Sequence, residues 1–228
     1  MLSPLHIAPI RAAPYRDSRF SPAAFTLIEL LVVITIIGAL LALSGAGLSG
    51  AMGGMAITNA GNKVSQLCDG ARQRAMTGNV LTAVVIVTNA GTNEDGRAMA
   101  VFEYPPGGPA WKQFTEWNIL PDGITVDVNN NSYGSFVHNS TPLPFFAPGS
   151  VKYHDNPLTA NQFAARVFVP SGGLLESNAA SQMQVVDGTT SSNTTTYTKV
   201  LNGKPVNFYR ITILGATGKT KIERPELP

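Results

Sequence analysis

Between residues 25 and 62 the chain places one charge, Glu29, in thirty-eight positions, and residues 30–48 are almost unbroken aliphatic. At about 1.5 Å per residue, such a helix crosses most of a hydrocarbon layer roughly 30 Å thick. Beyond Leu43 glycines accumulate, at 45, 47, 50, 53, 54 and 61. Each costs a helix interior roughly 0.8–1.0 kcal/mol against alanine. Gly50 and Gly54 stand in G-x-x-x-G spacing, which permits close helix approach. From Lys63 a three- and four-residue apolar period runs through Val64, Leu67, Cys68, Ala71, Ala75 and Met76. It predicts one buried helical stripe with Cys68 as a small hydrophobe on it, and Gly78-Asn79 as the stop.

From Val80 onward the period shortens to two. β-Branched and aromatic residues predict strands at 81–88, 97–104, 111–120, 124–128, 166–169, 183–186, 195–201 and 208–214. Turn residues separate them at 89–96, 105–109, 121–123, 171–173 and 188–193. Spacing near ten residues without intervening helical pattern predicts antiparallel pairing. The expected fold is α+β: a long N-terminal transmembrane helix packed on a C-terminal antiparallel, sandwich-like β-rich head. The expected division is a leader at 1–24, a helix at 25–78 whose residues 25–48 span the membrane, and a head at 79–228.

Charge and cysteine content narrow the chemistry. Only 13% of residues are charged, and the formal net charge is +2. Residues 1–24 hold three Arg and one Asp, so the remainder is balanced at thirteen basic and thirteen acidic side chains. Bulk charge then draws it to neither nucleic acid nor anionic lipid. Cys68 is the sole cysteine, which excludes an intramolecular disulfide and a multi-cysteine metal centre.

Three readings fit the N-terminus. A secretory signal peptide has a shorter apolar region, about 7–15 residues, and no charge near its start. A plain single-pass anchor explains the length but leaves Glu29 as a cost of roughly 2.5–3.5 kcal/mol. The third follows from Ala24-Phe25-Thr26-Leu27-Ile28-Glu29 after a leader with Arg11, Arg16 and Arg19. This pattern resembles the type IV prepilin signal of pilins and type II secretion pseudopilins. The resemblance implies cleavage by a prepilin peptidase between Ala24 and Phe25, where the family usually has Gly before the cut. It also implies N-methylation of Phe25 and a role for Glu29 in assembly, meeting the new amine of a neighbouring subunit and setting axial register. The leader arginines, with no further charge outside Glu29 until Lys63, keep the leader cytoplasmic and export the rest.

Residues 70–79, the run Phe168-Val169-Pro170-Ser171-Gly172-Gly173 and the terminal stretch 209–215 are similar to the pseudopilin H and FimT-like group. The implied function is structural. The chain would be a minor subunit in the inner membrane, head outside, that assembles with other pilin-like subunits into a pseudopilus or pilus-like fibre. The glycine-rich stretch is then either a weak helix among small residues or a segment that melts on packing.

An anchored ligand-binding module or enzyme is the alternative, and it would need a cleft holding His138 or His154 against an acid. No hydrolase triad, cofactor motif or metal-ligand spacing is present in the sequence. Gly218-Lys219-Thr220 lacks the earlier glycine of a phosphate loop, since position 213 is Ile. The run from Asp127 lacks the sixth-position Gly and the final Glu of a calcium loop. A DNA-binding minor pilin of an uptake system is a second alternative implied by the FimT-like resemblance, with Lys219 and Lys221 where nucleic acid would touch. A charged edge strand explains the same lysines, so nucleic acid is not the expected partner.

Overall fold

The computed structural model describes residues 26–129, 143–175 and 181–224, with the side chains of 42–53 excepted. Helix α1 covers Leu27–Gly78 in 52 residues. Strands β1 to β5 are Leu81–Val87, Ala98–Tyr104, Lys112–Gln113, Asn118–Ile119 and Ile124–Val126. Next come β6 (Lys152–Tyr153), β7 (Asn156–Pro157), β8 (Phe163–Phe168) and β9 (Ser181–Ser191). The chain continues through β10 (Thr194–Tyr197), β11 (Val200–Leu201), β12 (Lys204–Pro205), β13 (Phe208–Ile213) and β14 (Thr220–Glu223). The fold is α+β with an antiparallel, β-rich head. The chain divides into two compact units, 1–46 and 47–228.

Within the second unit the helical stripe is Ile57, Ala60, Val64, Cys68, Ala71 and Ala75, all essentially inaccessible. Leu67 is partly buried at its margin, and Met76 is exposed rather than buried. The helix ends in a Schellman arrangement. Asn79 adopts a left-handed backbone (φ 50°), and the Val80 N–H returns to the Ala75 carbonyl at 3.2 Å.

The first sheet orders β3-β2-β1-β8, with β4 on the same edge of β2 as β3. Strand β1 is buried on both faces. Val84 and Ile86 join the helical stripe, while Ala83, Val85 and Val87 join a second core. That is why its sequence reads as continuous hydrophobic rather than alternating. The second core is closed by Trp111, Leu143, Val151, Tyr153 and Leu158, from chain that crosses the outer face of this sheet.

The second sheet orders β10-β9-β13-β14, with β5 beside β9. Met183, Val185, Ile211 and Ile213 send their side chains into the helix-facing core. All residues of both cores fall between Ile57 and Ile213, so the unit beginning at Gly47 carries its own core.

Three expected strands are redrawn. The one at 111–120 is two short pieces separated by a bulge, because the Thr115 hydroxyl accepts the Val101 N–H at 2.9 Å in place of a ladder carbonyl. The turn at 188–193 shrinks to Ser192-Asn193, both left-handed (φ 50° and 57°). Strand β9 therefore runs to Ser191 and pairs with β10. Hydroxyls hold this extension: Thr125 to Thr190 at 2.7 Å and Thr190 to Thr195 at 3.0 Å, all buried. The strand at 195–201 divides into β10, which ends at Tyr197, and β11, which pairs with β12 and not with β9.

Candidate functional site

Two regions bear on function, the helix start and the basic C-terminal strands. Thr26 precedes the helix and Glu29 lies in its first turn. The Thr26 N–H and hydroxyl donate to Glu29 Oε2 at 2.9 and 3.0 Å, and the Glu29 N–H donates back to Thr26 Oγ1 at 3.3 Å. This is a capping box, in which two orphan backbone donors of the helix start are satisfied reciprocally. The sequence reading missed it, although Thr-x-x-Glu before an apolar run is its signature. Ala24 and Phe25, the expected cleavage and methylation positions, lie outside the described residues, as does the leader.

From Leu27 to Leu41 every side chain is exposed, with Leu27 at 87% and Leu41 at 68%. The aliphatic residues face all directions around the helix, a pattern that belongs in apolar surroundings. Among the described residues no helix is long and apolar enough to cross a membrane. The described side chains of this run stop at Leu41, about 22 Å of helix from its start.

At the other end of the chain, Lys219 sits in the turn between β13 and β14. The turn is closed by Gly218 N–H to the Leu214 carbonyl at 2.6 Å. Gly218 is left-handed (φ 63°), and a Cβ there would collide with the Gly172 carbonyl. Arg72 holds the same corner, its Nε donating to the Gly172 carbonyl at 3.2 Å and the Thr217 carbonyl at 2.7 Å. Lys221 pairs with Glu223 at 2.6 Å, and Arg210 reaches the same carboxylate at 3.8 Å. The Lys221 hydrogen bond and charge, with Arg210 behind them, hold the Glu223 carboxyl below its ordinary range. Arg224 donates to Thr58 Oγ1 at 3.2 Å. The local positive charge is thus partly neutralised within the chain.

His154 meets Glu94 at 3.0 Å, but the imidazole is 64% exposed on a surface turn and not in a cleft. His138 lies outside the described residues. The Asp127 carboxylate accepts from the Asn129 N–H and the Tyr197 hydroxyl, each at 2.9 Å, and so organises a turn. Among the described residues no group of three metal-ligating side chains converges.

No curated protein matches the chain. Among solved structures it is similar to the minor pseudopilin EpsH of the Vibrio cholerae type II secretion system. The identity is 13%, with 76% of this chain and 99% of that one covered, at a TM-score of 0.43. It is also similar to the Pseudomonas aeruginosa type IV minor pilin FimU at 11% identity. That match covers 75% of this chain and 93% of the other, at a TM-score of 0.41. Likenesses this distant say nothing about partners. The family described as the prokaryotic N-terminal methylation motif matches residues 20–45, the stretch that contains Ala24, Phe25 and Glu29. Residues 20–45 thus give the chain an N-terminus of the prokaryotic methylation-motif type.

Proposed function

We propose that this chain is a pilin-like structural subunit, anchored in the inner membrane and assembled through its N-terminal helix into a pseudopilus or pilus-like fibre. The observation that carries the reading is the pairing of the methylation motif at 20–45 with a capped helix whose aliphatic side chains are exposed on every side through Leu41. Such a surface is stable only in lipid or against other apolar helices, and a fibre subunit occupies both in turn. In this reading a prepilin peptidase cuts between Ala24 and Phe25, and Phe25 is then methylated. Residues 25–48 anchor the chain before assembly and pack afterwards. The role is not enzymatic; the head at 79–228 makes the partner contacts as a minor subunit.

Glu29 is assigned the register role. Its carboxylate is held by Thr26 in the single chain, so a neighbour's amine has to share or replace that contact. Glu29→Ala is expected to leave insertion and cleavage intact and to abolish incorporation into fibres. Thr26→Val removes the cap while keeping the carboxylate, and is expected to impair incorporation only mildly. Equal loss in both variants would show that the local cap, and not the intersubunit pair, explains the requirement. Intact-mass measurement of the membrane-extracted chain checks processing: a mature start other than methylated Phe25 overturns that assignment. Trace recovery at the fibre tip supports the minor role, and abundance along the shaft refutes it.

A further inference from the structure

Strand β14 forms one edge of the second sheet and is laddered to β13. Its residues, Thr220-Lys221-Ile222-Glu223, add nothing to either core, and Ile222 is 43% exposed. The neighbouring β13, by contrast, buries Tyr209, Ile211 and Ile213. Of the charges on β14, Lys221 pairs with Glu223 within the strand, and Arg210 of β13 reaches Glu223 at 3.8 Å. Exposed pairs of this kind hold an element only weakly.

What joins this segment to the helix is a chain of polar contacts. Ser65 Oγ donates to Thr220 Oγ1 at 3.1 Å, and that hydroxyl donates to the Asp69 carboxylate at 3.0 Å. Just past the strand, Arg224 donates to Thr58 Oγ1 at 3.2 Å, and the Thr58 hydroxyl donates to the Gly54 carbonyl at 2.9 Å. Positions 54, 58, 65 and 69 are spaced to lie along one side of α1. A Cβ at Gly54 would crowd Arg224 Nη2 at 3.2 Å, so the glycine leaves the guanidinium its seat. The glycine in G-x-x-x-G spacing with Gly50 therefore receives an arginine of its own chain. We propose that β14 and Arg224 form a strap that opens and closes over α1 while the head stays folded, and that the closed strap steadies the helical turn at 54–58. Elements that bury apolar surface open only with the whole fold, and β14 buries almost none. The buried helical stripe begins at Ile57, and residues 45–54 hold five glycines that each weaken a helix. The contacts running from Arg224 through Thr58 to Gly54 thus act where core support ends. Opening the strap leaves β13 as the edge of the second sheet. None of this depends on the fibre reading.

The test is hydrogen–deuterium exchange on the full chain in detergent micelles, resolved to β14, the turn at 54–58 and the doubly buried β1. Amides of β14 should exchange on the order of a hundredfold faster than those of β1. Thr220→Val removes the hydroxyl between Ser65 and Asp69, and Arg224→Ala removes the contact with Thr58. Each should speed β14 exchange about three- to tenfold and leave β1 unchanged. Arg224→Ala should also speed exchange at 54–58. Ser65→Cys combined with Thr220→Cys, in a Cys68→Ala background, replaces the 3.1 Å hydroxyl contact by a disulfide. Its oxidised form should slow β14 exchange about tenfold or more, and reduction should restore it. This lock keeps the test decisive should either single variant fold poorly. Exchange of β14 at the rate of β1 overturns the proposal, as does acceleration of β1 together with β14 in the variants. A turn at 54–58 indifferent to Arg224→Ala, or a lock without effect on β14, overturns it equally.

Discussion

Gly61 and Gly70 lie in the same helix, and helix propensity alone assigns both the same gain on substitution by alanine, about 0.8–1.0 kcal/mol. Their surroundings separate them. Gly70 is exposed, and a Cβ there meets nothing within 4 Å. Gly61 is buried, and a Cβ there would fall among the ring atoms of Tyr209. That ring is 5% exposed and is fixed at its far end, where the hydroxyl donates to Asn62 Oδ1 at 2.6 Å. Forcing a methyl into packed core costs roughly 1–3 kcal/mol, and displacing the ring also loses a hydrogen bond worth about 1 kcal/mol. After the propensity gain, Gly61→Ala should destabilise the head by about 1–3 kcal/mol, whereas Gly70→Ala should stabilise it by up to about 1 kcal/mol. For a unit of this size the two melting midpoints should differ by roughly 4–16 °C. Thermal and urea unfolding of the 47–228 head measure this directly. Gly61→Ala in a Tyr209→Val background should recover most of the loss, since the two positions share one volume. Equal midpoints for the two alanine variants would refute the packing argument.

The Cys68 thiol is fully buried, and burial, with the charge of Asp69 adding to it, raises its pKa well above the ordinary thiol range. It should resist thiol reagents at pH 8 until the head unfolds, as a labelling time course with and without urea will show. The unfolded thiol ionises above roughly pH 8.5 while the folded one keeps its proton, so this group's contribution to stability declines as pH rises beyond that point. Cys68→Ala should remove that decline. At the helix end, Asn79→Gly should hold or raise stability by a few tenths of a kcal/mol. Asn79→Val should cost about 1–2 kcal/mol, because a β-branched residue is strained at φ 50°; urea midpoints decide it.

Legibility from sequence followed the range of the interactions involved. The buried stripe from Val64 to Ala75 repeats every three to four residues because one helix face meets one core, and period alone discloses that. Strand β1 was readable for a related reason, since five β-branched residues among seven between turns admit little else. The division of 111–120 depended instead on Thr115, whose hydroxyl competes with backbone carbonyls for the Val101 N–H. Strand β9 similarly outran its apolar stretch because Thr190 finds buried hydroxyl partners on β5 and β10. A threonine has no sequence mark that says whether such partners will be present. The β6–β7 hairpin escaped notice because its turn residues, His154 and Asp155, are left-handed without glycine.

At the two candidate sites the same line divides what each level determined. The motif at 20–45 and the Thr26–Glu29 box are local signals, complete within a few residues, and so were present in the linear chain. The state of the C-terminal charges was not. Lys221 and Glu223 are neighbours on one strand face, but Arg210 joins them only because β13 pairs with β14 in that register. The Arg72 clamp on Gly172 and Thr217 closes contacts separated by 100 and 145 residues. Sequence alone determined where the chain turns apolar, where its helix stops and where its methylation motif lies, since backbone propensity and periodicity act over a few residues. Tertiary structure decided which polar groups are satisfied and which aliphatic side chains stay exposed, because both depend on what the rest of the chain brings alongside.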